Sequence, residues 1–298
     1  MEPSSKSEIS TTPAPSGGLA LQGAGGACAC GGNGGKGGEP AAPPAYVYAI
    51  GRIQPRFPTL GMEKEVAQVI GRAETTGKTD WQALHSALAK RENRYLARWL
   101  CWVMTIEGLD TYLVRPRDPG DFDTLVDTVR LGPRPTDVDV VIGVRGPIAP
   151  PEMCNGLQAP IIAFEQIYSF DVDRLLKAIP RPHGIAEDKF SAAAEEVFYR
   201  IMQVADNAGA TDEHRALNYL AVRYPAIYAT AAEAHGRNAA LASVDVRPSR
   251  LSGIRKVVDV VFSFLNRATD VAEKFFVRVD VTEAFPFLVS KMAPFYDR

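Results

Sequence analysis

The stretch IRKVVDVVFSFLNRATDVAEKFFVRVDV, residues 254–281, decides the fold class of this chain. β-branched or aromatic residues alternate with polar ones in its two halves, 254–264 and 275–281. A period of two predicts β-strands that have one buried face and one more polar face. The polar residues 266–270 between the halves favour a turn, so the stretch predicts an antiparallel strand pair. Such a pair supplies a sheet on which helices can pack.

The rest of the chain interleaves further strands and helices without a regular βαβ rhythm. One helix is capped by Asp80, and another follows Thr211 as its N-cap and is interrupted or restarted at Pro225. This order predicts an α+β protein with a mixed, largely antiparallel sheet and packed helices. The other predicted strands are 46–53, 98–106, 111–114, 138–144 and 161–167, and the other predicted helices are 62–74, 121–130 and 188–206.

Residues 1–44 are rich in glycine, proline and serine and contain few large apolar side chains. Such a segment buries too little surface to offset its ordering entropy, so a disordered tail is predicted, followed by one domain at 45–298. Within the tail, GGACACGGNGGKGG (25–38) fits either a flexible linker or a peptide core fused to its own binding domain. The composition favours the linker.

Composition and charge exclude several classes of protein. The chain has 298 residues, 46% of them hydrophobic, and a net charge of -2. This charge provides no basic surface for nucleic acid or for an anionic membrane. No run approaches the roughly 18 apolar residues of a membrane span, and the N-terminus lacks the pattern of a secretory signal. The sequence therefore predicts a cytoplasmic protein without nucleic-acid or membrane partners.

The cysteines, histidines and glycines form no recognised cofactor motif. The four histidines are isolated, so neither a metal site nor another cofactor is expected. Gly71 and Gly77 enclose one residue too many for a phosphate-binding loop, and a helix precedes them where that loop needs a strand. Cys101 lies between Leu100 and Trp102 and is expected to be a buried, unpaired thiol, because so few cysteines rarely form a disulfide framework in a cytoplasmic chain.

One helical turn carries the residues best suited to acid–base chemistry, Asp212, Glu213 and His214. A carboxylate next to an imidazole can act as a general acid or base. Acidic residues in a first turn also stabilise a helix through its dipole, and this simpler interpretation is favoured. Asp212, Glu213 and His214 are therefore candidate catalytic residues only under the alternative hypothesis that the protein is an enzyme.

Arg278 and Asp280 alternate with valines in the second predicted strand, so both should point away from its buried face. They fit either cross-strand ion pairs or the recognition of a partner. Together with Phe276 on the same strand and Arg215 on the preceding helix, they are the candidate peptide-binding residues.

Four segments carry a resemblance to a known family: 46–65, 136–156, 211–228 and 275–298, the last reading FFVRVDVTEAFPFLVSKMAPFYDR. They resemble the C-terminal domain of unknown function of the cyanobactin maturation proteins PatA and PatG. They are also similar to stand-alone proteins of the crocagin pathway. The likeness covers nearly everything after residue 45. The subtilisin-like protease part of PatA and PatG has no counterpart here.

The resemblance implies a role in maturing ribosomally made peptides, and it provides no catalytic residues to carry over. It predicts a non-catalytic accessory protein that binds a precursor peptide for its modifying enzymes. The alternative is an enzyme that acts on the same peptide through His214 with Asp212 and Glu213. An aromatic C-terminus that one domain does not fully cover also favours a homodimer.

Overall fold

Five strands between residues 46 and 171 close into a barrel, in a computed structural model that describes residues 44–71, 77–181, 184 and 186–296. Residues 1–43 of the predicted tail, including Cys28 and Cys30, lie outside the described residues, and so does His183. The strands are β1 (Tyr46–Arg56), β2 (Cys101–Ile106), β3 (Leu109–Pro116), β4 (Asp137–Ile148) and β5 (Pro160–Asp171).

The barrel follows the order β1-β2-β3-β5-β4, and β4 closes back on β1. All neighbouring strands are antiparallel except β3 and β5, which run parallel. This is the strand order of an OB-fold barrel. All five strands contribute apolar residues to one buried cluster, including Val47, Met104 and Phe164, because alternate side chains of each strand point into the barrel.

Four short helices pack against this barrel core. They are α1 (Leu60–Gly71), α2 (Asp80–Leu88), α3 (Arg94–Trp99) and α4 (Phe122–Asp127). Two predictions are corrected here. Thr79, not Asp80, caps α2, because its side chain forms a reciprocal capping box with Gln82. Residues 94–99 form a helix rather than the start of a strand, and β2 begins only at Cys101.

The loop 149–157 covers the outer face of β2 and β3, which OB-fold proteins often use for ligands. Cys101 at the start of β2 forms a disulfide with Cys154 in this loop, with 5.8 Å between their Cα atoms. The expectation of an unpaired thiol at Cys101 is therefore wrong. The two cysteines are 53 residues apart, and the pairing of β2 and β5 with the two sides of β3 brings them near each other.

A second layer is built from four helices and an antiparallel sheet. The helices are α5 (Val172–Ala178), α6 (Glu187–Val204), α7 (Asp212–Arg223) and α8 (Ala226–Gly236). The sheet, called the C-terminal sheet below, has the order β6 (Ala239–Pro248), β7 (Val257–Asn266), β8 (Ala272–Asp280) and β9 (Phe287–Pro294). The largest apolar core lies between its inner face and α6, α7 and α8.

The predicted strand pair is confirmed as β7 and β8, and the α+β class is confirmed with it. Asn266 makes the turn between them, since its side-chain oxygen accepts hydrogen bonds from the amides of Ala268 and Thr269. Two details differ from the prediction. Ile254 is fully exposed and precedes the strand, and the polar side of β7 is also buried, with Asp259 only 8% exposed.

None of the helices in the described part of the chain combines the length and the apolar character needed to cross a lipid bilayer.

Candidate functional site

The start of α7 places the predicted acid–base residues in structural roles. Thr211 caps the helix by accepting a hydrogen bond from the amide of His214, as predicted. The Nδ1 atom of His214 accepts a hydrogen bond of 2.7 Å from the amide of Asp206, and it lies 4.0 Å from the Asp206 carboxylate. Asp212 forms an ion pair of 3.0 Å with Lys256. His214 and Asp212 thus tie the helix start to neighbouring segments, and Glu213 lies half-buried beside them.

Arg215 lies inside the protein, with 2% of its surface exposed. Its guanidinium donates hydrogen bonds to the carbonyls of Val281, Glu283 and Ala284, and it pairs with Asp212 at 3.2 Å. Burial lowers the pKa of Arg215, and the neighbouring carboxylate of Asp212 opposes that shift. This side chain therefore holds the segment 281–284 after β8, and it reaches the ring of Tyr46, 5.3 Å away.

Arg278 and Phe276 lie on the outer face of the C-terminal sheet, opposite the helices, as their alternation with Val277 and Val279 predicts. The guanidinium of Arg278 stacks 4.9 Å from the ring of Phe276 and donates a hydrogen bond of 3.0 Å to Asp259 on β7. Arg278 keeps 29% of its side chain exposed.

The same face continues from Phe276 towards β6. Phe276 contacts Phe295 edge to face, with 5.8 Å between their ring centroids, and Arg247 of β6 stacks 4.8 Å from the ring of Phe295. Arg247, Phe295, Phe276 and Arg278 are called the arginine–phenylalanine row below. Each ring is fixed by a guanidinium over its face, an arrangement that favours a rigid surface.

Asp280 also points away from the inner face of the C-terminal sheet, but it is only 1% exposed. Burial by itself raises the pKa of this carboxyl, but hydrogen bonds from Thr282 and the pairing with Arg255 outweigh burial, so the pKa lies below its usual value. Arg255 in turn stacks over Phe287, 5.3 Å from its centroid. Asp280 thus positions an exposed arginine and does not itself offer a contact surface.

The two edges of the C-terminal sheet differ. On β9, the amide of Met292 donates to the hydroxyl of Tyr224 at 2.8 Å, and the amide of Leu288 donates to the hydroxyl of Tyr219. Because Tyr219 of α7 and Tyr224, the residue that follows α7, supply these hydroxyls, this edge is covered at two of its amides. The other edge is β6, which among the described strands pairs only with β7, and Arg200 donates a hydrogen bond to the carbonyl of Leu241 on it.

A cleft of about 400 Å³ separates α7 from the outer face of the barrel. Its walls include Tyr48 of β1, Tyr168 of β5, and Tyr219 and Arg223 of α7, and Phe285 and Pro286 flank it. Arg223 stacks 4.5 Å from the ring of Tyr168 and donates a hydrogen bond of 2.9 Å to its hydroxyl.

Tyr48 is the least satisfied group in this cleft. It is 1% exposed, and its hydroxyl has no hydrogen-bond partner among the described residues. Burial raises the pKa of Tyr48, so the hydroxyl stays protonated. A buried hydroxyl without a partner costs about 1–3 kcal/mol, so this group calls for an explanation.

The residues of the cleft were not predicted from the sequence, because they come from β1, β5, α7 and the segment after β8. One local signal exists. Tyr48 interrupts the apolar run between Val47 and Ala49 with a polar tip that normally finds a partner when buried. Among the described residues, no group of histidine, cysteine, aspartate or glutamate side chains is arranged to hold a metal ion.

Comparison with known proteins agrees with the observed fold. Residues 185–295, which contain α6 to β9, match the family model described as PatG C-terminal. The predicted resemblance to the PatG C-terminal domain is confirmed. A solved structure described as "PatG Domain of Unknown Function" has a TM-score of 0.69 and 20% sequence identity, over 84% of this chain and 98% of that chain. The likeness to the PatG domain at this identity shows a shared fold, which includes the barrel. None of the curated proteins matches the chain.

Proposed function

We propose that this protein is a non-catalytic accessory protein that binds the precursor of a ribosomally made, post-translationally modified peptide and presents it to modifying enzymes. The match to the PatG C-terminal family supports a place in a cyanobactin-like pathway. The proposal includes no metal or other cofactor and no nucleic-acid or membrane partner.

The observation that carries the proposal is the arginine–phenylalanine row on the outer face of the C-terminal sheet. Its aromatic rings provide apolar contact area, and its guanidinium groups are directional donors for the carbonyls or carboxylates of a peptide. The row begins on β6, an edge strand, and extended peptides can add to a sheet by pairing with such a strand. Phe276 and Arg278 are the contact residues in this proposal. Asp280 and Arg215 are buried, and they hold Arg255 and the segment 281–284 instead of contacting a peptide.

Charge changes in the row are expected to weaken peptide binding. Arg278→Glu and Arg247→Glu should each lower the affinity about ten-fold, equivalent to about 1.4 kcal/mol, because each removes a donor and repels peptide carbonyls or carboxylates. Arg278→Gln is measured together with Arg278→Glu, because Asp259 is the hydrogen-bond partner of Arg278 and would repel a glutamate at that position. The glutamine removes the positive charge without adding a negative one. The measurement is a calorimetric titration with synthetic copies of the short peptides encoded beside this gene.

Two controls separate this surface from the alternative function. Arg91→Glu places the same charge change on an exposed residue next to α3 and should leave the affinity unchanged. His214→Ala should leave both binding and the yield of mature peptide nearly intact. An enzyme that used His214, Asp212 and Glu213 for acid–base chemistry would instead lose roughly 10²–10⁴-fold in turnover with unchanged affinity, and this result would refute the proposal.

We also propose that the chain forms a homodimer. Two exposed aromatic side chains lie close together in the sequence at the start of β9, Phe285 (43% exposed) and Phe287 (47% exposed). Tyr296, near the C-terminus, is 79% exposed. Such side chains favour self-association. Light scattering at micromolar concentration should give twice the mass of one chain, and a monomer mass would remove this part of the proposal.

The division at residue 44 and the cytoplasmic location remain predictions. Limited proteolysis tests the first, since a disordered tail should be removed without loss of the domain that begins at residue 45. The predicted cytoplasmic location can be tested through the Cys101–Cys154 disulfide, because disulfides are rare in a reducing cytoplasm. Thiol labelling of the protein inside cells would show whether the pair is oxidised there.

A further inference from the structure

The cleft between α7 and the barrel is rich in hydrogen-bond donors. The hydroxyl of Tyr168 accepts a hydrogen bond from Arg223, and the hydroxyl of Tyr219 accepts one from the amide of Leu288, so each retains its own proton for donation. The buried hydroxyl of Tyr48 has both its proton and its lone pairs unused by the described residues. Three O–H donors and one guanidinium therefore face a common space.

Among the residues that the structure describes, no carboxylate lines this cleft. The nearby carboxylate of Glu283 is held by the hydroxyl of Tyr46 at 3.1 Å and is not among the lining groups. A space lined by several hydrogen-bond donors and one positive charge, with no described carboxylate, favours an anionic ligand. Hydrogen bonds to a charged acceptor are stronger than those between neutral groups. One guanidinium balances a single negative charge, which fits a carboxylate better than a phosphate dianion.

The remaining walls determine what the carboxylate is attached to. Phe285 and Pro286 flank the donors, and Tyr48 meets Tyr219 edge to face at 6.3 Å. These surfaces accept an apolar or aromatic side chain. The volume of about 400 Å³ lies in the lower part of the range of roughly 300–1,000 Å³ that small-ligand sites span. Because Arg223 is exposed, a ligand can enter from solvent.

We propose that this cleft binds the free α-carboxylate end of a peptide whose last residue is apolar or aromatic. The carboxylate takes the donors of Arg223, Tyr168 and Tyr48, and the last side chain lies against Phe285 and Pro286. This inference rests on the proposed function in one respect, namely that the ligand is a peptide. The cleft is a different site from the arginine–phenylalanine row, so either can fail alone.

The test is a titration of the full chain, followed by NMR or calorimetry, with acetyl-alanyl-phenylalanine carrying a free carboxylate. The same dipeptide as its C-terminal amide and inorganic phosphate are the comparison ligands. We expect the amide and phosphate to bind at least ten-fold more weakly than the acid. Tyr48→Phe should lower the affinity for the acid roughly ten-fold or more, and Arg223→Gln should do the same, because each removes a donor to a charged group.

Tyr48→Phe keeps the ring and removes only an oxygen without a partner, so its melting temperature should not fall. Tyr199→Phe removes the hydroxyl of a half-exposed tyrosine on α6 and is the matched control, with unchanged affinity expected. Arg278→Gln should also leave binding of the acid unchanged.

Four results would overturn the inference. They are no binding of the acid, equal binding of acid and amide, binding of phosphate as strong as that of the acid, and an affinity that Tyr48→Phe leaves unchanged. If Arg278→Gln abolished binding of the acid while Tyr48→Phe and Arg223→Gln did not, the ligand would bind at the arginine–phenylalanine row. This result would also contradict binding in the cleft.

Discussion

Gly209→Ala is expected to destabilise the protein by more than about 4 kcal/mol, or to prevent folding, because no space exists for a methyl group. An added Cβ would lie 1.9 Å from the carbonyl oxygen of Tyr48, and the glycine has a φ of +58°, where side chains are strained. The collision is with backbone, so no rotamer change relieves it. Urea denaturation followed by circular dichroism measures the effect.

The segment around Gly209 explains why this position matters for the cleft. The carbonyls of Gly209 and Asn207 accept hydrogen bonds from the amides of Tyr48 and Ile50, at 3.1 and 2.8 Å. Asn218 donates a further bond of 2.8 Å to the carbonyl of Tyr48. These contacts hold α7 and β1 together across the cleft, so a shift of Gly209 also moves Tyr48.

Gly132→Ala is the matched control, since an added Cβ there meets no atom within 4 Å and the backbone is not left-handed. Its free energy of unfolding should stay within about 1 kcal/mol of the parent. If Gly209→Ala were as mild as this control, the packing of residues 207–209 against β1 would be wrong.

Arg215→Met is expected to lower the free energy of unfolding by about 3–5 kcal/mol. Methionine retains the apolar stem, but the carbonyls of Val281 and Ala284 lose a donor in a buried place. The segment 281–284 then loses its attachment to α7, and the adjacent Phe285 and Pro286 should move with it. Chemical denaturation reports the stability, and the dipeptide titration reports the state of the cleft.

The control for this variant is Arg237→Met. Arg237 pairs with Glu273, and both side chains are 49% exposed, so the loss should not exceed about 1 kcal/mol. Equal effects of the two substitutions would show that Arg215 is not the buried anchor described above.

The sequence by itself determined the elements whose pattern is local. Alternation predicted β7 and β8, the polar run from Asn266 predicted their turn, and Thr211 predicted the start of α7. It also predicted that Arg278 and Asp280 leave the inner face. These features depend on residues within a few positions of one another, where backbone geometry dictates which side chains share a face.

Only the tertiary structure decided how much of each polar side chain stays in contact with water. Arg215 and Asp280 have ordinary polar positions in the sequence, yet both are buried, because segments more than 20 residues away along the chain cover them. The edge strands β6 and β9 were not predicted from the sequence, and the structure places them by their pairing with β7 and β8.

The disulfide and the cleft needed the tertiary structure most of all. Cys101 meets Cys154 across 53 residues, and Tyr48 of β1 meets Tyr219 of α7, with the other four barrel strands and the helices α1 to α6 between them in the chain. Such contacts depend on how the barrel closes and how α7 packs on it, and no periodicity of the chain encodes them. The identity of the side chains was in the sequence, but their convergence around one unpaired hydroxyl was a product of the fold.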